Sequence, residues 1–436
     1  MTFVNVANLS DLDEARLGKL LSRRMDDAPE VVALCRTIVE DVRRDGDRAV
    51  LAMTARFDGV ELTADRLRVS ADEFDRAEKD VPADMKDAVK RVVRNIRTFH
   101  APQLRRGDRW LEVERGVWCG ERLTPIDAVC LYVPRGRGSF SSVACMLGVP
   151  AVLAGVPRLI ICTPPGPDGT VDAATLYAAR LLGIGEVYRV GGAQAVAAVA
   201  YGTQTIPRCD KIVGPGNAYV SAARRLLADV IDPGPPAGPS ESLLICDESA
   251  DAENAAWNLM IEAEHGENST AVLLTHVAEL GRLVADAVGR CVGELTPDRR
   301  AFVQEVLARR GGVLVTKSLD ESIEFANRFA AEHVALMVAD PWTVLPLLTN
   351  AGEILFGDFP IISLANYAMG INAVLPTGGW ARTASGVSVH DFLKRTAMGF
   401  VTADGLAGLR KTVPVMSMDE GFSAHHQALL RWRVER

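Results

Sequence analysis

Seven histidines are spread through the 436 residues, so each can be weighed by its neighbours. In NLMIEAEHGENS, Glu262 and His265 stand three apart on a predicted helix and share one face. A carboxylate and an imidazole at that spacing can chelate one metal ion, and the plainer alternative is an ion pair near a helix end. In NRFAAEHVALMV, Glu332 and His333 adjoin where a helix gives way to an apolar strand. Removing both groups from water there is costly unless they pair or are used. Their chemistry suits proton transfer, because histidine titrates near neutrality and an adjacent carboxylate can activate water. In DEGFSAHHQALL, Glu420 and His425 lie on the C-terminal tail. His100, His276 and His390 have no ionisable cluster beside them and read as packing or surface residues.

Two strand-to-helix turns could cradle a nucleotide. EVYRVGGAQAVAAVAYG turns at Gly191-Gly192, and DKIVGPGNAYVSAARRLL turns at Gly214-Pro215-Gly216-Asn217. Glycine permits the tight backbone, and the new helix offers free N–H groups to an anion. Neither matches G-x-G-x-x-G, and neither is followed by an acid at the usual distance. An ordinary βα turn therefore stays open for each alone. Two in one domain, both at strand carboxyl ends, point to a ligand crevice. The loop Val133-Pro134-Arg135-Gly136-Arg137-Gly138-Ser139 adds two arginines, suited to planar or anionic groups or to plain contact with dinucleotide phosphates or solvent.

These side chains need elements to hold them. The first ~120 residues read as helical, with apolar residues at helical spacing over 11–24 and 29–59. Apolar, β-branched runs then mark strands at 127–133, 157–163, 186–190 and 210–214. After the Pro/Gly-rich segment 232–241, strands are predicted at 242–247, 270–275, 311–316, 333–338 and 353–357, with helices at 251–265, 277–293 and 318–330. Alternation of this kind predicts an α/β chain with parallel sheets, in two doubly wound domains. From Trp380 the pattern fades into a helical tail, expected to pack on something else.

Composition narrows the classes. Lys plus Arg number 48 against 56 Asp plus Glu, a net charge of -8, which argues against a nucleic-acid surface. No apolar run reaches the ~20 residues of a membrane span, and MTFVNVANLSDLDEARL has no signal-peptide core. A cytoplasmic protein is expected. None of the eight cysteines forms a Cys-x-x-Cys pair, so reduced thiols are expected rather than a cysteine zinc site or disulfides.

Nine segments in order carry a resemblance: LYVP (131–134), GGAQA (191–195), VGPGNAYV (213–220), AGPSE (237–241), AEH (263–265), AEH (331–333), NAVLPTGG (372–379), SGVSVHDFLK (385–394) and EGFSAH (420–425). Together they are similar to the histidinol dehydrogenases. The resemblance implies a homodimer of two incomplete Rossmann-like domains with small N- and C-terminal extensions, each active site completed by the partner's tail. It implies one zinc ion per subunit and oxidation of an alcohol through an aldehyde to a carboxylate with two NAD. On this chain it places NAD contacts on Tyr132, Gln194 and Asn217, and the proton-handling pair on Glu332 and His333. Zinc falls to Glu262, His265, Asn366 and His425, and substrate to Ser240, His333, Glu420 and those same ligands. The implied organisation is an extension over 1–27, a first domain over 28–131 and 241–386, an NAD domain over 132–240, and a tail over 387–436.

The chain departs from the family pattern at the site. Where the family's zinc is held by Gln, His, Asp and His, Glu262 replaces the Gln and Asn366, in SLANYAMG, replaces the Asp. The ligand set keeps one carboxylate and two imidazoles, so a metal site is expected to survive, with Asn366 its weakest member. The family's Asn-His before VLPT is Asn372-Ala373, and YVPGG has become YVPRG, with Arg135 and Arg137 added. These changes favour a paralogue oxidising another polar primary alcohol. Authentic L-histidinol dehydrogenase and a catalytically silent ligand-binding relative are the alternatives.

Overall fold

A computed structural model describes residues 3–23, 28–105, 107–135, 138 and 140–432. The chain divides into two units, Met1–Gln103 with Asp127–Phe392 and Leu104–Ile126 with Leu393–Arg436.

The first unit holds two parallel sheets. The smaller consists of Ala128–Tyr132, Arg158–Thr163, Glu186–Arg189 and Lys211–Val213. Numbered along the chain, its spatial order is 3-2-1-4, the opening of the Rossmann order. The larger sheet repeats that order with Glu241–Cys246, Thr270–Thr275, Gly312–Val315 and His333–Met337, then adds Glu353–Leu355 beyond the fourth strand. A short N-terminal strand, Val6–Asn8, pairs in parallel with Gly312–Val315 at the other edge. Helices cover both faces, so strand residues such as Leu131, Ile160, Leu243, Ile245, Leu273 and Leu274 are fully buried. Burial on both faces is why these strands read as continuous apolar runs rather than alternating ones. Every strand expected between 127 and 357 forms within one or two residues of its predicted ends.

The N-terminal stretch differs from expectation. Residues 29–59 form two helices, Pro29–Asp45 and Asp47–Asp58, broken at Gly46. The strand Ala128–Tyr132 also straddles the boundary expected at 131/132 and pairs wholly within the smaller sheet.

The second unit contains an antiparallel sheet of Leu393–Val401, Val117–Pro125 and Arg109–Glu114, in that order. Helices Ala403–Leu409, Thr412–Asp419 and Ser423–Leu430 follow. This corrects the helical reading of residues 104–120 and of Leu393–Val401, while the rest of the tail is helical as expected. Strands Arg109–Glu114 and Leu393–Val401 are exposed along most of their length, so neither carries the apolar alternation that marks a half-buried strand. All eight cysteines are free, and all but Cys119 are buried. Among the described residues no helix is long and apolar enough to cross a membrane.

Candidate active site

Five of the expected site residues, with Ser240, meet at the amino edge of the larger sheet. Helix Ala252–Ala263 carries Glu262, which is fully buried. The turn after it carries His265, whose Nδ1 lies 2.7 Å from Glu262 Oε2 and 2.8 Å from Ser240 Oγ. Asn366 sits in the π-helical turn Ala365–Met369 and donates its Nδ2–H to Glu262 Oε1 at 2.9 Å. Turns widened in this way recur at functional sites. One helical turn before Glu262, Asn258 fastens the segment leading to Asn366. Its amide donates to the Pro360 carbonyl at 2.8 Å and accepts from the Ile362 N–H at 3.0 Å.

His333 opens its strand, and the register sets it beside Glu353 on one neighbour and Ser242 on the other. Its Nδ1 lies 2.6 Å from Glu353 Oε1. Its Nε2 faces Glu332 Oε1 at 3.7 Å and Glu262 Oε1 at 3.9 Å. Glu332 is anchored from behind, because the Glu241 N–H donates to its Oε2 at 2.9 Å. Ala330 turns helix Leu319–Phe329 into this strand with φ 52, the one positive φ at a non-glycine among the described residues. That conformation costs roughly 1 kcal/mol and sits two residues before Glu332. At Gly352 the chain passes so close that a Cβ would lie 2.5 Å from the Glu332 carbonyl oxygen.

Burial and charge set the protonation of this cluster. Burial alone would lower the pKa of His333, but Glu262, Glu332 and Glu353 outweigh it and raise it to about 10. At Glu332 burial wins and lifts the carboxyl well above its ordinary range, against the pull of His333. Burial acts the same way on Glu262, yet His265, His333 and the hydrogen bonds from His265 and Asn366 bring it down to about 2. The Glu262 charge in turn raises His265. Glu262 is thus the fixed anion of the site, and Glu332 is the carboxyl that most readily holds a proton.

The donors present suit a zinc ion. The buried Glu262 carboxylate converges with the imidazole of His265, Oε2 to Nδ1 2.7 Å, a carboxylate–imidazole pair of the kind zinc takes. The Asn366 amide is turned by its acceptor, since N–H faces a carboxylate; a cation there favours the amide oxygen instead. The acid and the amide that stand exchanged relative to the family pattern are in direct contact. Among the described residues no three His, Cys, Asp or Glu side chains converge as a complete cage. Glu420 and His425 belong to the second unit, where both are exposed.

The residues expected to meet a nucleotide lie at the carboxyl edge of the smaller sheet. Tyr132 and Gln194 are buried, and the Tyr132 hydroxyl accepts from the Gly192 N–H at 3.0 Å. Asn217 caps helix Ala218–Leu226 by accepting from the N–H groups of Tyr219 and Val220, each at 3.1 Å. Gly214, with φ 138, brings its chain against the Tyr132 carbonyl, where a Cβ would stand 2.1 Å away. Arg135 is half-buried and donates to the Thr170 carbonyl at 3.3 Å, so it braces a neighbouring loop. Arg137 lies outside the described residues.

Sequence reading passed over three supports of the site: Glu353, Asn258, and the buried pair of Arg23 with Glu241, at 2.8 and 3.1 Å. Glu353 carried the same signal as Glu332, an acid heading an apolar strand. The pairing of Arg23 with Glu241 spans 218 positions and leaves no local mark.

A family model described as histidinol dehydrogenase matches residues 21–433. A histidinol dehydrogenase of Synechocystis sp. is 44% identical over 424 residues, 97% of this chain and 98% of the relative. A histidinol dehydrogenase homolog of Cereibacter sphaeroides is 46% identical over 432 residues, 98% of each. The crystal structure of histidinol dehydrogenase from Elizabethkingia anophelis superposes with a TM-score of 0.92 at 33% identity, covering 99% of this chain and 98% of that one. The ordered motifs, the paired Rossmann-like sheets and the buried Glu–His cluster at their edge have a common source: the chain belongs to the histidinol dehydrogenase family.

Proposed function

We propose that this chain is a zinc- and NAD-dependent dehydrogenase that oxidises a polar primary alcohol through an aldehyde to a carboxylate, with two hydride transfers. The observation that carries the reading is the orientation of His333. Its Nδ1 is spent on Glu353, which leaves Nε2, facing Glu332 and Glu262, to take the alcohol proton once the imidazole has released its own. Glu332 Oε1 shares that face, and a carboxyl lifted by burial is a stronger base when ionised, fit to deprotonate the water added at the aldehyde stage. Glu262, His265 and Asn366, with His425 from a second copy's tail, would hold zinc. When bound, zinc supplies a fixed charge that orients the polar end of the substrate, and NAD supplies the hydride acceptor. Ser240, hydrogen-bonded to His265, and Glu420 would complete the substrate shell. Tyr132, Gln194 and Asn217 would meet NAD.

A homodimer with shared sites and a cytoplasmic location complete the proposal. Val415, Met416, Met418, Phe422 and Trp432, all exposed on the second unit, support the former. The free, mostly buried thiols support the latter. The substrate is proposed to differ from L-histidinol, because Ala373 stands where the family has histidine and the acid and amide at 262 and 366 are exchanged. The test is a panel of polar alcohols including L-histidinol, assayed for NADH with added zinc. No NADH and no NAD binding would overturn the dehydrogenase reading, and a good rate with L-histidinol would overturn the altered substrate.

A further inference from the structure

Away from the catalytic cluster, a cavity of about 270 Å³ lies between helix Ala218–Leu226, the proline-rich segment 233–239 and the stretch from Thr377 to Trp380. Arg224 lines it and is only 6% exposed. Its Nε and Nη2 are buried without a hydrogen-bond partner. Among the described residues no carboxylate pairs with it. The ionisable groups that bear on its charge are the Tyr132 hydroxyl and the Cys130 thiol. Burial lifts both, Tyr132 to about 12, so both are neutral at physiological pH. Burial draws the guanidinium itself down only to about 10, so it stays charged.

A buried cation with no counter-ion is among the costliest groups a fold can hold. The other cations of the cavity do not share this condition. Arg23 is held by Glu241, and Arg225 has a partner of its own. With Nε and Nη2 sealed, Nη1 is the nitrogen left to meet a counter-ion. An adjoining cavity of about 450 Å³ shares Arg23 and Pro239 and is lined by Arg16, Lys19 and Arg310, none in an ion pair among the described residues. On a chain of net charge -8 this concentrates positive potential at one place, which draws anions.

We propose that the cavity beside Arg224 binds a small oxyanion, the phosphate or carboxylate group of a metabolite, with Arg224 as its buried counter-charge. The site is independent of the dehydrogenase reading, and its test does not use turnover. Thermal unfolding of the full chain is followed with inorganic phosphate or acetate at low millimolar concentration, against sodium chloride of equal ionic strength. A ligand that binds only the folded state raises the midpoint saturably. At least one of the two anions is expected to do so. Arg224→Met is expected to lose that shift and to unfold at a higher temperature than the parent in anion-free buffer, since it removes an unpaired buried charge. Ser221→Glu places a carboxylate one helical turn away on the same cavity wall and is expected to abolish the shift with the fold intact. No saturable shift in the parent, a full shift in Ser221→Glu, or an Arg224→Met chain that is less stable or fails to fold would each overturn the site.

Discussion

Replacing Glu353 by glutamine tests whether the carboxylate behind His333 serves the chemistry or only the fold. The two side chains are almost sealed, at 3% and 6% exposure, with Nδ1 and Oε1 2.6 Å apart. A hydrogen bond to a charged group in such surroundings is worth about 1.5–3 kcal/mol. At ~1.4 kcal/mol per tenfold, that is roughly ten- to hundredfold in rate. Glutamine keeps the shape, and its amide oxygen can still accept from Nδ1–H, so Nε2 remains the free nitrogen. What goes is one of three negative charges that raise His333 to about 10. The imidazole then becomes a weaker base, so kcat should fall while KM for the alcohol holds, and the acidic limb, along which His333 loses its proton, should move to lower pH. Stability should fall little with it, because the amide oxygen keeps the contact to Nδ1 and the second oxygen, Oε2, has no partner to lose. Steady-state NADH kinetics across pH, with thermal unfolding in parallel, separates the cases. An unchanged kcat in a folded variant, or a loss that follows the melting temperature, refutes the role.

Four further outcomes are expected. Glu332→Gln should slow oxidation of the aldehyde more than that of the alcohol, since only the former needs water deprotonated; equal losses in separate assays of the two steps contradict this. Gly352→Ala should cost roughly a hundredfold in kcat by moving the Glu332 backbone, whose carbonyl a new Cβ would meet at 2.5 Å, and full activity would show that the backbone position is immaterial. His265→Ala should lose zinc by metal analysis, and full occupancy removes it from the ligand set. Asp58, half-buried with Oδ2 unpartnered, is raised by burial from 3.8 to about 6. A folded pKa above the unfolded one gives stability that is complete below pH ~4 and is lost as pH rises through about 6. Asp58→Asn should therefore stabilise the chain at pH 8 by about 2 kcal/mol, discounted for partial exposure, and not at pH 4. Equal shifts in melting temperature at the two pH values would show that the charge is not the cause.

The sequence made visible what depends on neighbours along the chain and concealed what depends on register. Strands such as Glu241–Cys246 and Thr270–Thr275 are buried on both faces, so their residue types alone declare them. Leu393–Val401 pairs along nine positions with Val117–Pro125, but with its side chains in water it carries no pattern to read. The same divide runs through the site. Glu332 and His333 were legible because two ionisable groups enter an apolar strand together. Glu353 heads the next strand, and its bond to His333 follows only from a parallel register that sets the two side by side.

The exchange at 262 and 366 shows what such a contact adds to the chemistry. In the sequence it is two opposite departures 104 positions apart, which leave the ligand set with one carboxylate and two imidazoles. In the fold the two side chains touch, so the site still presents one carboxylate and one amide at the same place, with only their order reversed. A site losing its metal would be free to lose either group, and a carboxylate sealed in the core would bring a desolvation cost with no ligand to hold. Keeping that acid deep in the core beside His265 is what the proposed zinc would account for. On the proposed reading, a change of substrate is then to be sought around the metal, starting with the imidazole missing at Ala373, and not in loss of the metal itself.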